Sequence, residues 1–188
     1  TQYTLDVVNT FSDDVGLDVR STPIGKIPAI EKIEVEKETK SLFKSIVGKI
    51  GFIARWTRPD LAVAHSILGR YQENPSEEAF ALASRILGYL WLTREKGITL
   101  KGSVDKDKIL VYSDSDWGGD RDDRRSQSGS VVFIAGGLVN WNSSKQKSVS
   151  MSTMEAEYIA ASEAISEVQF IKNLAADLGL MDSCGKTT

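Results

Sequence analysis

A single cysteine, Cys184, in 188 residues excludes an internal disulfide framework and suits a reducing compartment. No apolar run approaches the ~20 residues that cross a bilayer, so no membrane segment is expected. The opening TQYTLDVVNT has no basic stretch followed by an apolar one, so it carries no signal-peptide pattern. It also lacks an initiator Met, which points to a piece of something longer. Charge of one sign is scarce as well. The formal net charge is -3, with 14 basic against 13 acidic residues over 1–103 and 9 against 13 over 104–188. That excludes a global pull on nucleic acid, and any such contact has to be local. What is present is ordinary: 41% hydrophobic and 26% charged residues describe a globular chain long enough for one domain or two small ones.

The hydrophobic period divides the chain near residue 104. Residues 1–38 read as an amphipathic segment (Leu5, Val8, Phe11, Val15) followed by a Pro-containing, charge-rich linker. Residues 39–103 read as a small helical bundle. In the first helix Leu42, Phe43, Ile46, Val47, Ile50 and Ile53 form a stripe at i, i+3, i+4 spacing. Pro59 suits the first turn of a second helix. Ser76 caps a third, with Phe80, Ala83, Ile86, Leu87 and Leu90 inside and Gly97 at its end. The only histidine, His65, lies among apolar neighbours here and reads as structural.

Over 104–188 the period becomes two. KILVYSDSD (108–116) and SGSVVFIAGG (128–137) read as strands, and Gly136-Gly137 turns into a third, LVNWNS. A long helix follows over roughly 153–178, with Ala161, Ala164, Ile165, Val168, Ile171, Leu174 and Leu178 expected inside. The fold class is therefore α+β: a helical bundle, then three antiparallel strands and a long helix.

Acids mark both ends of this second half. Asp114 and Asp116 close the first strand. Glu155 fits a capping box with Ser152. Glu157 precedes Ala160, Ala161 and Ala164 by three, four and seven residues, which sets it at the top of the expected buried face. A carboxylate there is costly without a positive partner. That partner is either a base such as Lys145, Lys147 or Arg125, or a cation held jointly with the strand-end acids. Clustered carboxylates suit a hard divalent ion.

The stretch YSDSDWGGDRDDRRSQSGSVVFIAGGLVNWNSSKQKSVSMSTMEAEYIAASEA resembles the start of the ribonuclease H domain of Ty1/copia-type retrotransposon polyproteins. The upstream SIVGKIGFIARWTRPDLAVAHSILGRYQENPSEEAFALASRILGYLWLTREKGITL resembles the thumb end of the reverse transcriptase in the same polyproteins. The resemblance spans about 40–178. It implies an RNase H-like fold with strand order 32145 and a helical thumb-like region before it. It implies cleavage of the RNA strand of RNA/DNA hybrids by four acids and two Mg2+ (or Mn2+) ions. By motif, Asp114 is the first acid and Glu157 the second. Asp116 and Glu155 are left unassigned.

The sequence also departs from that family. The stretch after the long helix, MDSCGKTT, lacks the C-D-N-Q-type fourth strand that supplies the third acid, and Asp182 is no substitute. No Y-x-D-D palm motif is present, so polymerase activity is not encoded here. The 188 residues are therefore expected to be catalytically incomplete. One side of the first strand is expected to be an open edge, covered by the N-terminal segment or by a second copy or partner. Arg121, Arg124, Arg125, Lys145 and Lys147 are candidate nucleic-acid contacts, set against a self-neutralised loop. Trp117 and Trp141 are candidate base-stacking residues, set against burial. The resemblance implies an RNA/DNA hybrid and the rest of the polyprotein as partners. It also implies a cytoplasmic setting, with the virus-like particle or nucleus for the parent element.

Overall fold

A computed structural model describes residues 2–25, 27, 34–100, 108–120, 123–179 and 186–187. The chain divides into two units, residues 1–97 and 98–188.

The first unit is helical. α1 (Gln2–Val15) buries Thr4, Val7, Val8 and Phe11, residues about one turn apart. α2 (Lys37–Trp56) buries the expected stripe of Phe43, Ile46, Val47, Ile50 and Ile53, with Leu42 half-buried beside it. α3 is shorter than expected. It covers Ala62–Leu68, with a 3-10 turn on each side (Pro59–Leu61 and Gly69–Tyr71). Pro59 opens the first of these turns, where its missing N–H costs nothing.

α4 (Glu77–Leu92) is capped by Ser76, whose Oγ accepts the Ala79 amide at 3.3 Å. It ends at Leu92 and not at Gly97. Thr93 is its C-cap, and the Lys96 amide turns back to the Thr93 carbonyl at 2.9 Å, a tighter turn than the helix makes. The same carbonyl accepts from Arg58 at 3.0 Å, and the Thr93 hydroxyl donates to Tyr89 O at 2.7 Å. Arg58 is itself 2% exposed and also binds Asp60, so it ties the end of α2 to the end of α4. Gly88 is a contact point on α4. A Cβ there would lie 2.4 Å from the Asp18 carbonyl oxygen, so the chain after α1 lies directly on the helix.

The second unit is a sheet with one helix across it. β1 (Lys108–Ser115) pairs antiparallel with β2 (Gln127–Ile134), which pairs antiparallel with β3 (Gly137–Lys145). The hairpin turn falls on Ala135 and Gly136, with φ of 50° and 77°, the left-handed pair of a two-residue turn. It was expected one residue later, but Gly137 already pairs with Ile134. Val132 opposes Asn140 and Phe133 opposes Leu138, so Val139 is the extra residue of a bulge. α5 (Thr153–Asp177) packs on the face of the sheet made by Ile109, Val111, Val132 and Ile134.

Two expectations are corrected here. α5 buries Ala156, Ala160, Ala164, Val168 and Ala175, while Ile165 (67%), Leu174 and Leu178 are exposed. Small side chains bring the helix backbone close to the sheet, so the larger apolar residues turn outward. The expected absence of a fourth strand is also overturned. After α5 the chain returns as β4 (Lys186–Thr187), parallel to β1, and gives the order β3-β2-β1-β4. Lys108 pairs with Lys186 and Ile109 with Thr187, so the start of the edge is covered from within the chain.

Candidate functional site

The site is built where β1 ends and α5 begins. Val111 and Ser113 line a groove against Ala161, Ala164 and Val168 of α5. Side chains alternate along a strand. Asp114 therefore leaves β1 on the opposite face, beside the exposed Tyr112, and is itself exposed.

Glu157 reaches this strand end from α5. Its Oε1 accepts the Ser115 amide at 3.3 Å, next in sequence to Asp114. The expectation that Glu157 tops the buried face is corrected, because Glu157 is exposed and Ala156 and Ala160 carry the contact. The Ser115 hydroxyl is buried and has no hydrogen-bond partner among the described residues. Glu157 thus meets the end of β1 at Ser115, whose hydroxyl is unmet, while the carboxylate of Asp114, the residue before it, leaves on the other face. All are hard oxygen donors of the kind Mg2+ takes. Among the described residues no group of three or more His, Cys, Asp or Glu is placed to hold a metal ion. The donors fit a hard divalent ion in kind.

The neighbouring acids have other work. Asp116 extends the β1–β2 ladder, donating its amide to Gln127 O at 3.1 Å and accepting the Gln127 amide on its carboxylate. Glu155 belongs to the helix cap. Its amide donates to Ser152 Oγ at 3.1 Å and its carboxylate accepts the Met151 amide at 2.7 Å. That donor lies one residue before the one a capping box uses.

The basic rim divides. Lys145 Nζ lies 2.7 Å from Asp120 and 2.9 Å from Asp123. Burial pushes the Asp123 carboxyl up, but the hydrogen bonds from Lys145 and the Arg125 amide outweigh it and hold Asp123 below its usual range. Arg125 Nε lies 3.5 Å from Asp123. Arg124 and Lys147 are exposed, Arg124 with φ of 59°. Arg121 lies outside the described residues. Trp117 is 53% exposed, contrary to burial, and its indole donates to Ser150 O at 3.1 Å. Trp141 is half-buried.

Sequence reasoning missed the buried polar residues behind this rim, Asp120 (6% exposed) and Gln146 (1%). Nothing in a hydrophobic pattern marks them. The one signal was their place inside the dense GDRDD and KQK stretches.

No family model and no solved structure matches the chain. Curated proteins do. It is 36% identical over 161 residues to the retrovirus-related Pol polyprotein from transposon RE1 of Arabidopsis thaliana, covering 85% of this chain and 11% of that protein. It is 40% identical over 139 residues to the retrovirus-related Pol polyprotein from transposon TNT 1-94 of Nicotiana tabacum, covering 73% of this chain and 10% of that protein. It is also 39% identical over 131 residues to the secreted RxLR effector protein 161 of Plasmopara viticola, covering 69% of this chain and 90% of that protein. The chain thus spans about a tenth of the length of the polyproteins it matches.

Proposed function

Because the chain belongs to the retrovirus-related Pol polyproteins of copia-type transposons, we propose that its second unit is the first part of their ribonuclease H domain. The first unit is then the thumb end of the reverse transcriptase. The parent domain cleaves the RNA strand of an RNA/DNA hybrid. Asp114 and Glu157 are its first two acids, and Lys147 and Arg124 meet the phosphates. The observation that carries this reading is the hydrogen bond from the Ser115 amide to Glu157, which brings the second acid to the residue beside the first. The strand order 3-2-1-4 supports it as well.

Asp114 and Glu157 would hold Mg2+ or Mn2+, which activates water and steadies the leaving oxygen in such reactions. With two acids, the 188 residues do not fix both ions, so the isolated chain is inactive. Its partners are the hybrid and the remainder of the polyprotein, in the cytoplasm, the virus-like particle or the nucleus with the parent element.

The test is metal-dependent cleavage of a labelled hybrid by this chain and by a version lengthened along the parent polyprotein. Cleavage by the longer chain alone, lost in Asp114→Asn and in Glu157→Gln, supports the assignment. Full cleavage by the longer Asp114→Asn variant overturns it.

A second reading is a non-catalytic RNase H-like module that binds nucleic acid or protein. It is supported by the effector relative, of which the matching segment makes up 90%. Hybrid binding without cleavage by the longer chain would favour this reading.

A further inference from the structure

Behind the strand end lies a polar network that the two acids do not use. Gln146 is 1% exposed, yet its side chain is fully engaged. Its Nε2 donates to Ser128 Oγ at 3.0 Å and to the Ala156 carbonyl at 2.9 Å, and its Oε1 accepts from Ser150 Oγ at 2.8 Å. Its amide donates to Ser126 O at 2.8 Å. Ser126 Oγ accepts the Gly118 amide at 3.1 Å, and Ser150 O accepts the Trp117 indole at 3.1 Å. One side chain thus connects β2, the end of β3, the turn before α5 and the first turn of α5. Through Ser150 it also reaches the loop after β1, and the backbone amide of Gln146 does so through Ser126.

The placement is specific. Ala156, which Gln146 holds, is the residue before Glu157. Trp117, which Ser150 holds, lies three residues after Asp114. Buried polar networks whose members are all satisfied fix one arrangement, because each broken bond leaves a desolvated group unpaired. Glu157 and Asp114 are themselves exposed, so their own surroundings do little to fix them.

We propose that Gln146 is a positioning residue that sets the register of Glu157 against the end of β1, and so the spacing of the two acids. This rests on the reading of Asp114 and Glu157 as site acids. Gln146 touches neither substrate nor ion in this assignment. It acts through Ala156 and Ser150.

The test uses amide NMR on the 188-residue chain, where catalysis plays no part. Glu157→Ala removes the acceptor of the Ser115 amide and defines the shift of a released amide. Gln146→Met keeps length and volume but loses all three side-chain bonds. It is expected to move the Ser115 amide most of the way to that released position. The Val111 and Val132 amides of the β1–β2 ladder should keep their shifts and exchange protection. Ser150→Ala, which removes one link, should move Ser115 part of the way. An unmoved Ser115 amide in Gln146→Met overturns the proposal. So does a loss of ladder protection matching that of Ser115 in both variants, since Gln146 would then only hold the sheet together.

A second arm uses the longer chain. There Gln146→Met should raise the Mg2+ needed for half-maximal cleavage by about tenfold, with the KM for hybrid unchanged. A change in KM alone overturns the positioning role. If the longer chain cleaves nothing, the catalytic reading fails, and the NMR arm still decides whether Gln146 sets the position of Glu157.

Discussion

Lys145 Nζ lies 2.7 Å from a carboxylate oxygen of Asp120, whose side chain is 2% exposed. A buried carboxylate without its cation is strongly unfavourable, so this lysine is committed to the loop before it can serve a ligand. Lys147, two residues on, is exposed. Lys145→Met should cost about 2–3 kcal/mol of stability in urea unfolding. Lys147→Met should leave stability within about 0.5 kcal/mol. If hybrid binding exists, Lys147→Met should lower its salt slope by about one. Equal stability of the two variants would contradict the assignment of Lys145.

Arg58 and Asp60 give a directional test in the helical unit. Arg58 is almost wholly buried, while the Asp60 side chain is about one-third exposed. Asp60→Asn leaves a buried guanidinium with no carboxylate, only Thr93 and the Tyr89 ring. Arg58→Met leaves a carboxylate that water can reach. Asp60→Asn should therefore be the more damaging, by about 3 kcal/mol against about 2. Thermal unfolding of the two variants at one pH would reveal a reversed order.

His65 predicts a pH window. Burial is the larger cause and Arg55 the smaller in holding its imidazole below the ordinary value. The folded state therefore takes up its proton at lower pH than the unfolded state does. The stability tied to the neutral ring is whole above about pH 6.5 and is lost as pH falls through the lower folded value. No other histidine overlaps this window. Stability should fall from pH 7 to pH 5 in the wild type. In His65→Leu the fall over that range should flatten, while the loss below pH 5 from carboxylates such as Asp60 persists.

The same ring predicts a steric result. A Cβ on Gly51 would lie 2.4 Å from His65 Nε2, so Gly51→Ala forces the imidazole to move. The cost should be about 1–3 kcal/mol, as for overpacking elsewhere. In a His65→Ala background the cost should shrink or vanish. Additive losses in that double-mutant cycle would place the clash elsewhere.

The stripe of α2 and the caps at Ser76 and Ser152 were legible because each is a local rule written in adjacent residues. The buried face of α5 was legible only in part, at Ala164 and Val168. Its contact is made by Ala156, Ala160 and Ala164, which a hydrophobic pattern weighs lightly, while Ile165 and Leu174 weigh heavily and lie outside. The place of Glu157 shifted with that face, yet its partner strand was foreseen from motif resemblance. Gln146 and Asp120 escaped because burial of a polar residue is decided by partners far along the chain. β4 escaped because it consists of two residues whose only signal is the free edge they cover.

That last pairing has a consequence for how the unit assembles. The β2–β3 hairpin closes through a two-residue turn, so it can form within microseconds of its residues becoming free. β1 joins β2 across a short loop. β4 reaches β1 only after all of α5 has been laid down, which closes the longest loop in the sheet, and loop closure must be met before the contact rewards it. The parallel pair is therefore the last to form and the first to open. On a growing polypeptide the strand end bearing Asp114 and the helix bearing Glu157 would meet while the edge beside them still waits for its partner.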